Sequence, residues 1–182
     1  MPTSKIGTGF PLLDAILSRS ADALGPDLRA YRNHCCRVMH FCGAFSGNRA
    51  EDLDKIAIAA AFHDLGIWTE GTFDYLGPSQ QRAGDYLDQE GKNGWRDEVS
   101  EMIGQHHKIS RYRLHPEWLV EPFRKADWVD VSLGRLTFGL DASFVKDVLA
   151  AFPNAGFHRR LTILAGQRLL RHPLSPLPMM RW

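Results

Sequence analysis

Between Pro26 and Phe45 the apolar residues Leu28, Tyr31, Cys35, Val38, Phe41, Cys42 and Phe45 recur at three- and four-residue steps. That spacing puts them on one face of a helix, and so broad an apolar face has to be buried against other helices. Gly25-Pro26 sets the start, because Pro in a first turn forfeits no hydrogen bond. After Ser46-Gly47-Asn48 a second helix runs to about Leu65, lined by Leu53, Ile56, Ala57, Ala60 and Ala61. Its alanines predict close approach by a neighbour, and Gly66 reads as a left-handed stop.

Ile67–Pro78 reads as a loop, and Ser79 as the cap of a short helix through Gln89 that Gly91 ends. Further helices are predicted over Trp95–His107, from the Pro116/Pro122 region to Leu133, over Asp141–Phe152 and over Gly156–Arg171. The tail from His172 through Pro178 reads as extended surface chain wrapping its own domain. No period-two alternation long enough for a strand occurs. The expectation is an all-α helical bundle of six or seven helices. It forms a single domain over 1–182, with the motif-bearing region at 26–134 and the C-terminal helices and Pro-rich tail at 141–182.

Composition narrows the function classes. Twenty-two Lys+Arg against 21 Asp+Glu leave a net charge of +1, which excludes nucleic-acid binding by bulk charge. The longest apolar run, Ile56–Phe62, falls far short of the roughly 20 residues that span a bilayer. Met1–Ser20 carries Asp14 inside its apolar stretch and has no small-residue cleavage pattern, so a cytoplasmic protein is expected. Cys35, Cys36 and Cys42 have neither the number nor the spacing of a disulfide or thiolate-metal framework, and Cys35 and Cys42, one heptad apart on an apolar face, read as small core residues.

Histidines and carboxylates carry the chemistry. His34 flanks the apolar face of the first long helix, and His63-Asp64 end the Ala-rich one. Asp127 falls on an inward-facing stripe, four residues after Phe123 and four before Val131. A carboxylate there costs several kcal/mol unless compensated, and no Lys or Arg of its own helix shares that face. A cation held by two imidazoles and two carboxylates resolves the cost, and such a mixed set suits Fe, Mn, Ni, Co or Zn better than Mg.

The ordered series Tyr31-Arg32-Asn33-His34, Ala59-Ala60-Ala61-Phe62-His63-Asp64-Leu65-Gly66, Ile103-Gly104-Gln105-His106-His107 and Ala126-Asp127 resembles the HD-domain superfamily of metal-dependent phosphohydrolases. The likeness covers about 60 % of the chain. It implies an all-α bundle holding one divalent transition metal through His34, His63, Asp64 and Asp127. Asp130 competes for the last position; otherwise it pairs with an arginine or orients a ligand imidazole. Two-metal relatives usually supply a further His after the His-Asp pair, whereas Leu65–Gln105 contains none, so a second metal stays open but is not favoured. His106 and His107 then serve as catalytic or proton-transfer groups.

The implied reaction is hydrolysis of a small phosphate ester, a nucleotide among the candidates, by metal-activated hydroxide. Lys108 and Arg111 are the expected phosphate-binding residues, with Arg124 or Lys125 in reserve, and Glu70 and Asp74 are weaker acid/base candidates. The helix start near His158, Arg159 and Arg160 reads as a packed connection more readily than as an anion site. Trp118 and Trp182 are read as exposed aromatics that could mark a homodimer face. Two alternatives stay open: an HD-type di-iron oxygenase, and a non-catalytic metal-stabilised sensor.

Overall fold

A computed structural model of the chain describes residues 6–175 and 177–180. The described residues form helices and no strands. In chain order the helices are α1 (Pro11–Ser18), α2 (Ala21–Leu24), α3 (Leu28–Ser46), α4 (Leu53–Phe62), α5 (Gly66–Thr69), α6 (Leu76–Gln89), α7 (Arg96–Gln105), α8 (Val120–Val131), α9 (Ala142–Ala151) and α10 (Phe157–Arg171). Each of the seven helices expected from apolar spacing is present. The 3₁₀ turn Gly25–Asp27, with Pro at its start, leads into α3, and Gly134 at φ +76° follows the end of α8.

α4 is the axis of the bundle. All its residues from Ile56 to Phe62 are buried, and the small side chains of Ala57 and Ala59–Ala61 let α3, α1, α6 and α7 pack close around it. α3 lies along α8, burying Tyr31, Cys35, Val38, Phe41 and Cys42 with Phe123, Ala126 and Val129. All three cysteines are free and buried, as small core residues should be. The first half of α3, the C-terminal end of α4 and the later turns of α8 meet in this core, which is why residues far apart in sequence converge there.

The structure corrects several sequence expectations. α1 was not foreseen, although Leu13, Ile16 and Leu17 have helical spacing and are all buried. Residues 67–78 are not simply a loop: Gly66–Thr69 make a helical turn and α6 begins at Leu76. Ser79 therefore lies inside α6 and caps nothing; its buried hydroxyl accepts a hydrogen bond from the Gly66 N–H at 3.0 Å. Nor is Gly66 a left-handed stop, since its φ is not positive and it opens α5. Glycine is needed there for close approach, because a Cβ would stand 2.7 Å from the Tyr75 carbonyl oxygen and 3.0 Å from Ser79 Oγ.

The tail is turned rather than extended, with Ser175 N–H bonded to His172 O and Met180 N–H to Leu177 O. Met179 packs with Ile67, Phe73, Tyr75 and Leu76 in a small second core. Trp118 is half-buried and stacked on His115 rather than exposed, and Trp182 lies outside the described residues. Among the described residues no helix is long and apolar enough to cross a membrane.

Because a backbone carbonyl cannot give way, Gly66→Ala is expected to lower stability by about 1–3 kcal/mol, the range for overpacking a tight core. Chemical denaturation of the variant beside the parent measures this, and an unchanged midpoint would contradict the packing.

Candidate metal centre

The His34 side chain leaves α3 toward α8. Its Nδ1 lies 2.5 Å from Asp130 Oδ2, and Asp130 is gripped through both oxygens by Arg37, one turn further along α3. Arg37 also donates to the Phe152 carbonyl at 2.8 Å. Burial alone would push the Asp130 carboxyl up, but the His34 hydrogen bond and the Arg37 charge outweigh it and hold the group below the usual carboxylate range. Asp130 thus fills both roles expected of it should it not be a ligand: it pairs with an arginine and it orients an imidazole. An ionised carboxylate only accepts, so the proton of His34 resides on Nδ1 and its Nε2 lone pair points the other way.

His63 sits at the C-terminal end of α4, where its Nδ1 donates to the Ala60 carbonyl at 2.9 Å. His106, at the end of α7, donates from Nδ1 to the Ile103 carbonyl at 2.6 Å. Carbonyls cannot donate, so each of these rings carries a proton on Nδ1, and a neutral ring then presents its Nε2 lone pair. Burial alone would lower the His106 pKa, but the neighbouring Asp64 and Asp127 carboxylates outweigh it and raise it. The Nε2 atoms of His34 and His63 face each other at 2.8 Å, and His106 Nε2 lies 3.4 Å from Asp64 Oδ1. Asp64 Oδ2 is 3.5 Å from His63 Nε2 and 3.8 Å from His34 Nε2. Asp127 Oδ1 approaches the same two nitrogens at 3.6 and 3.9 Å.

With the His34 and His63 rings both neutral and protonated on Nδ1, the two facing Nε2 atoms have no proton to share. Asp64 Oδ1, both Asp127 oxygens and His106 Nε2 are buried without any hydrogen-bond partner. Burial pushes the His63 imidazole down to about 3, against the pull of Asp64, which denies the site a cation from that ring. Burial also pushes Asp127 up to about 7, against the pull of His106 and His34. Unpaired buried acceptors are costly and rare. A divalent cation held by His34, His63 and Asp64, whose donor atoms lie within 4.8 Å of one another, would offset part of that cost, so the residues present fit a metal.

Each of His34, His63 and Asp64 offers one donor atom within 4.8 Å of the others. A second such group, Asp64, His106 and His107, shares Asp64 with the first. His107 Nε2 meets the Tyr75 hydroxyl at 2.7 Å, and its Nδ1 stands 3.4 Å from Asp127 Oδ2. The aromatic surroundings are dense: Phe157 stacks on His34 with centroids 4.1 Å apart, and Phe123 meets His63 edge-on.

Of the expected phosphate-binding residues, Lys108 is half-buried and Arg111 exposed; both line a cleft of about 530 Å³ with Gln105 and Tyr112. Arg124 is not available as a clamp. It is buried, donating bidentately to Glu121 and to the Lys108 carbonyl, and so anchors the segment after His107. Lys125 lies over the Phe45 ring. Glu70 is paired with Arg82 on the surface, and Asp74 is exposed. The start of α10 is a packed connection, with His158 facing Asn154 and the Asp130 carbonyl.

Sequence reasoning missed Arg37, Tyr75 and Phe157. Arg37 had a signal, since it follows His34 by three residues and shares its face of α3. Tyr75 and Phe157 reach the site from segments whose positions only the tertiary fold determines.

A family model described as HD domain matches residues 31–131. No curated protein and no solved structure matches the chain.

Removing one partner of the buried Arg37–Asp130 pair leaves a charge stranded in the core. Asp130→Ala is therefore expected to cost about 3–5 kcal/mol in urea unfolding, with a large part recovered in the apolar double variant Arg37→Met/Asp130→Leu. A loss below about 1 kcal/mol would show that the pair is not isolated from solvent.

Proposed function

The chain belongs to the HD domain family, and from that premise we propose that it is a metal-dependent phosphohydrolase acting on a small phosphate ester, a nucleotide among the candidates. In this reading His34, His63, Asp64 and Asp127 hold a divalent transition metal, within a single domain whose motif-bearing region is 26–134. The observation that carries it is the grouping of His34, His63 and Asp64, whose donor atoms lie within 4.8 Å of one another, with the unpartnered Asp127 Oδ1 standing beside the two imidazole nitrogens at 3.6 and 3.9 Å. When bound, the ion supplies Lewis acidity, lowering the pKa of a water toward neutrality and offsetting negative charge at phosphorus.

The chain's own residues do the rest. The Arg37–Asp130 pair fixes the tautomer and tilt of His34, and the Ala60 carbonyl does the same for His63. His107 is the proton-handling candidate: its ring links the Tyr75 hydroxyl at Nε2 to the Asp127 side at Nδ1. Its side chain is 15 % exposed, whereas those of His34, His63, Asp64 and Asp127 are at most 4 % exposed. The approach from solvent thus runs past His107, and Lys108 and Arg111 on its flank are suited to gripping an incoming phosphate.

A second reading rests on the donor group Asp64, His106 and His107. If it takes a second ion, with Asp64 shared, the centre becomes dinuclear, and His106 and His107 would add to the ligands that an HD-type di-iron oxygenase needs, although Leu65–Gln105 contains no histidine.

Elemental analysis of the purified chain separates the readings: one equivalent of metal supports the mononuclear centre and two the dinuclear one. His63→Ala and Asp64→Ala are each expected to lose most of the bound metal, and unchanged content in both would remove the assignment. Hydrolysis of generic phosphoesters with Mn, Co or Ni supports the hydrolase, O₂ uptake with Fe(II) the oxygenase, and neither activity a binding module.

A further inference from the structure

After Asp147 the chain contains no Asp or Glu, while Arg159, Arg160, Arg168, Arg171 and Arg181 fall in the same stretch. In a protein of net charge +1 this concentrates positive potential at the C-terminal end. Arg160, Leu164, Arg168 and Arg171 recur at three- and four-residue steps and form a stripe along α10. The stripe faces a cleft of about 450 Å³, whose opposite wall is Ile67 and Trp68 of α5 and Phe73 beyond it. No acidic residue lines this cleft, and none of the metal-centre donors does.

The walls are held in place. Asp27, behind the cleft, accepts a hydrogen bond from Trp68 Nε1 at 2.9 Å and pairs with Arg160 Nε at 3.0 Å. One carboxylate thus fixes both the indole and the first arginine of the stripe. Arg168 uses its Nε on the Ser175 carbonyl at 3.3 Å. Arg171 has no ion-pair partner among the described residues, so the cationic charge at the far end of the cleft is uncompensated. Cations in a last helical turn do favour the helix dipole. That accounts for Arg168 and Arg171 but not for a concave site closed on its other side by aromatic and aliphatic side chains.

We propose that this cleft is a second ligand site, distinct from the metal centre, which binds an organic phosphate. The phosphate lies between Arg168 and Arg171, and a flat apolar group lies against Trp68 and Leu164. Guanidinium groups suit phosphate oxygens through paired charge-assisted hydrogen bonds, and the volume is that of a small-ligand pocket, large enough for a nucleoside monophosphate. Tyr31 separates the site from the metal centre: its ring packs on Trp68 with centroids 4.9 Å apart, and its other neighbours include His63 at 6.0 Å. A ligand on the indole therefore does not touch the metal-centre donors.

The test is calorimetric titration of the purified full chain with adenosine 5′-monophosphate and with ribose 5-phosphate, which carries the same phosphate but no base. The expected result is saturable binding of the monophosphate, tighter than that of the sugar phosphate. Binding should weaken about tenfold or more in Arg168→Ala/Arg171→Ala, with metal content unchanged. Arg171→Ala alone, at an exposed position, should show a smaller loss without any effect on folding. Undiminished binding in both variants, equal affinity for the two ligands, absence of binding, or loss of binding in step with loss of metal would each overturn the proposal. Because metal content is read separately, failure here is distinguishable from failure of the metal-centre assignment.

Discussion

Three imidazoles spend their Nδ1 protons on acceptors fixed by the fold, and everything at the centre follows from that. The acceptors are a carboxylate for His34 and backbone carbonyls one turn earlier for His63 and His106. With those protons committed, the Nε2 atoms of His34 and His63 are turned toward each other, and that of His106 toward Asp64. The rings of Phe157, Phe123 and Tyr31 pack around these imidazoles and limit the solvent that could satisfy them. The bundle is thus built around a buried polar cluster whose donors are costly to leave unpaired and could hold a cation. The alanines of α4 belong to the same design, because larger side chains would hold α3 and α7 too far apart for the histidines to converge.

The Arg37–Asp130 pair shows how such a cluster is kept rigid. A buried ion pair is a weak source of stability, since desolvation offsets most of its attraction. Its value here is positional. The paired carboxylate cannot change partner without stranding the arginine, so the His34 ring cannot turn without breaking a bond that the core is arranged to keep. Arg37 also ties the pair to the Phe152 carbonyl, just beyond α9. The C-terminal part of the chain therefore contributes to the placement of α3, the helix that bears His34, even though it lies outside the matched family region.

What the sequence reveals of this follows the range of each interaction. Helices with repeated apolar spacing are local signals, and the seven so marked are all present. α1 is only eight residues long, and its three buried residues at helical spacing were too few to stand out. Gly66 was misread because glycine answers two needs, positive φ and close approach, and sequence does not say which; the Tyr75 carbonyl decides it. The inward position of Asp127 was legible from its helical phase. The compensation of Asp130 was legible only in outline, since its arginine is 93 residues away. Trp118 was misjudged because an isolated aromatic carries no sign of the imidazole that will stack on it.

α10 joins the two halves of the molecule's chemistry. Its first residue, Phe157, stacks on His34, while its later turns carry the arginine stripe that faces the cleft beside the small second core. Asp27 precedes α3, the helix that bears His34, and also fixes Trp68 and Arg160. The aromatic cover of the metal centre and the walls of the basic cleft are consequently parts of one packed layer. That layer consists of α10, the turn after His63-Asp64, and the start of α3. Side chains in such a layer interdigitate at near-crystalline density, so a shift of the indole must be taken up by Tyr31 and then by the imidazoles behind it. Physical continuity of this kind is the minimum that any coupling between the two sites would require, and here it runs through two ring contacts.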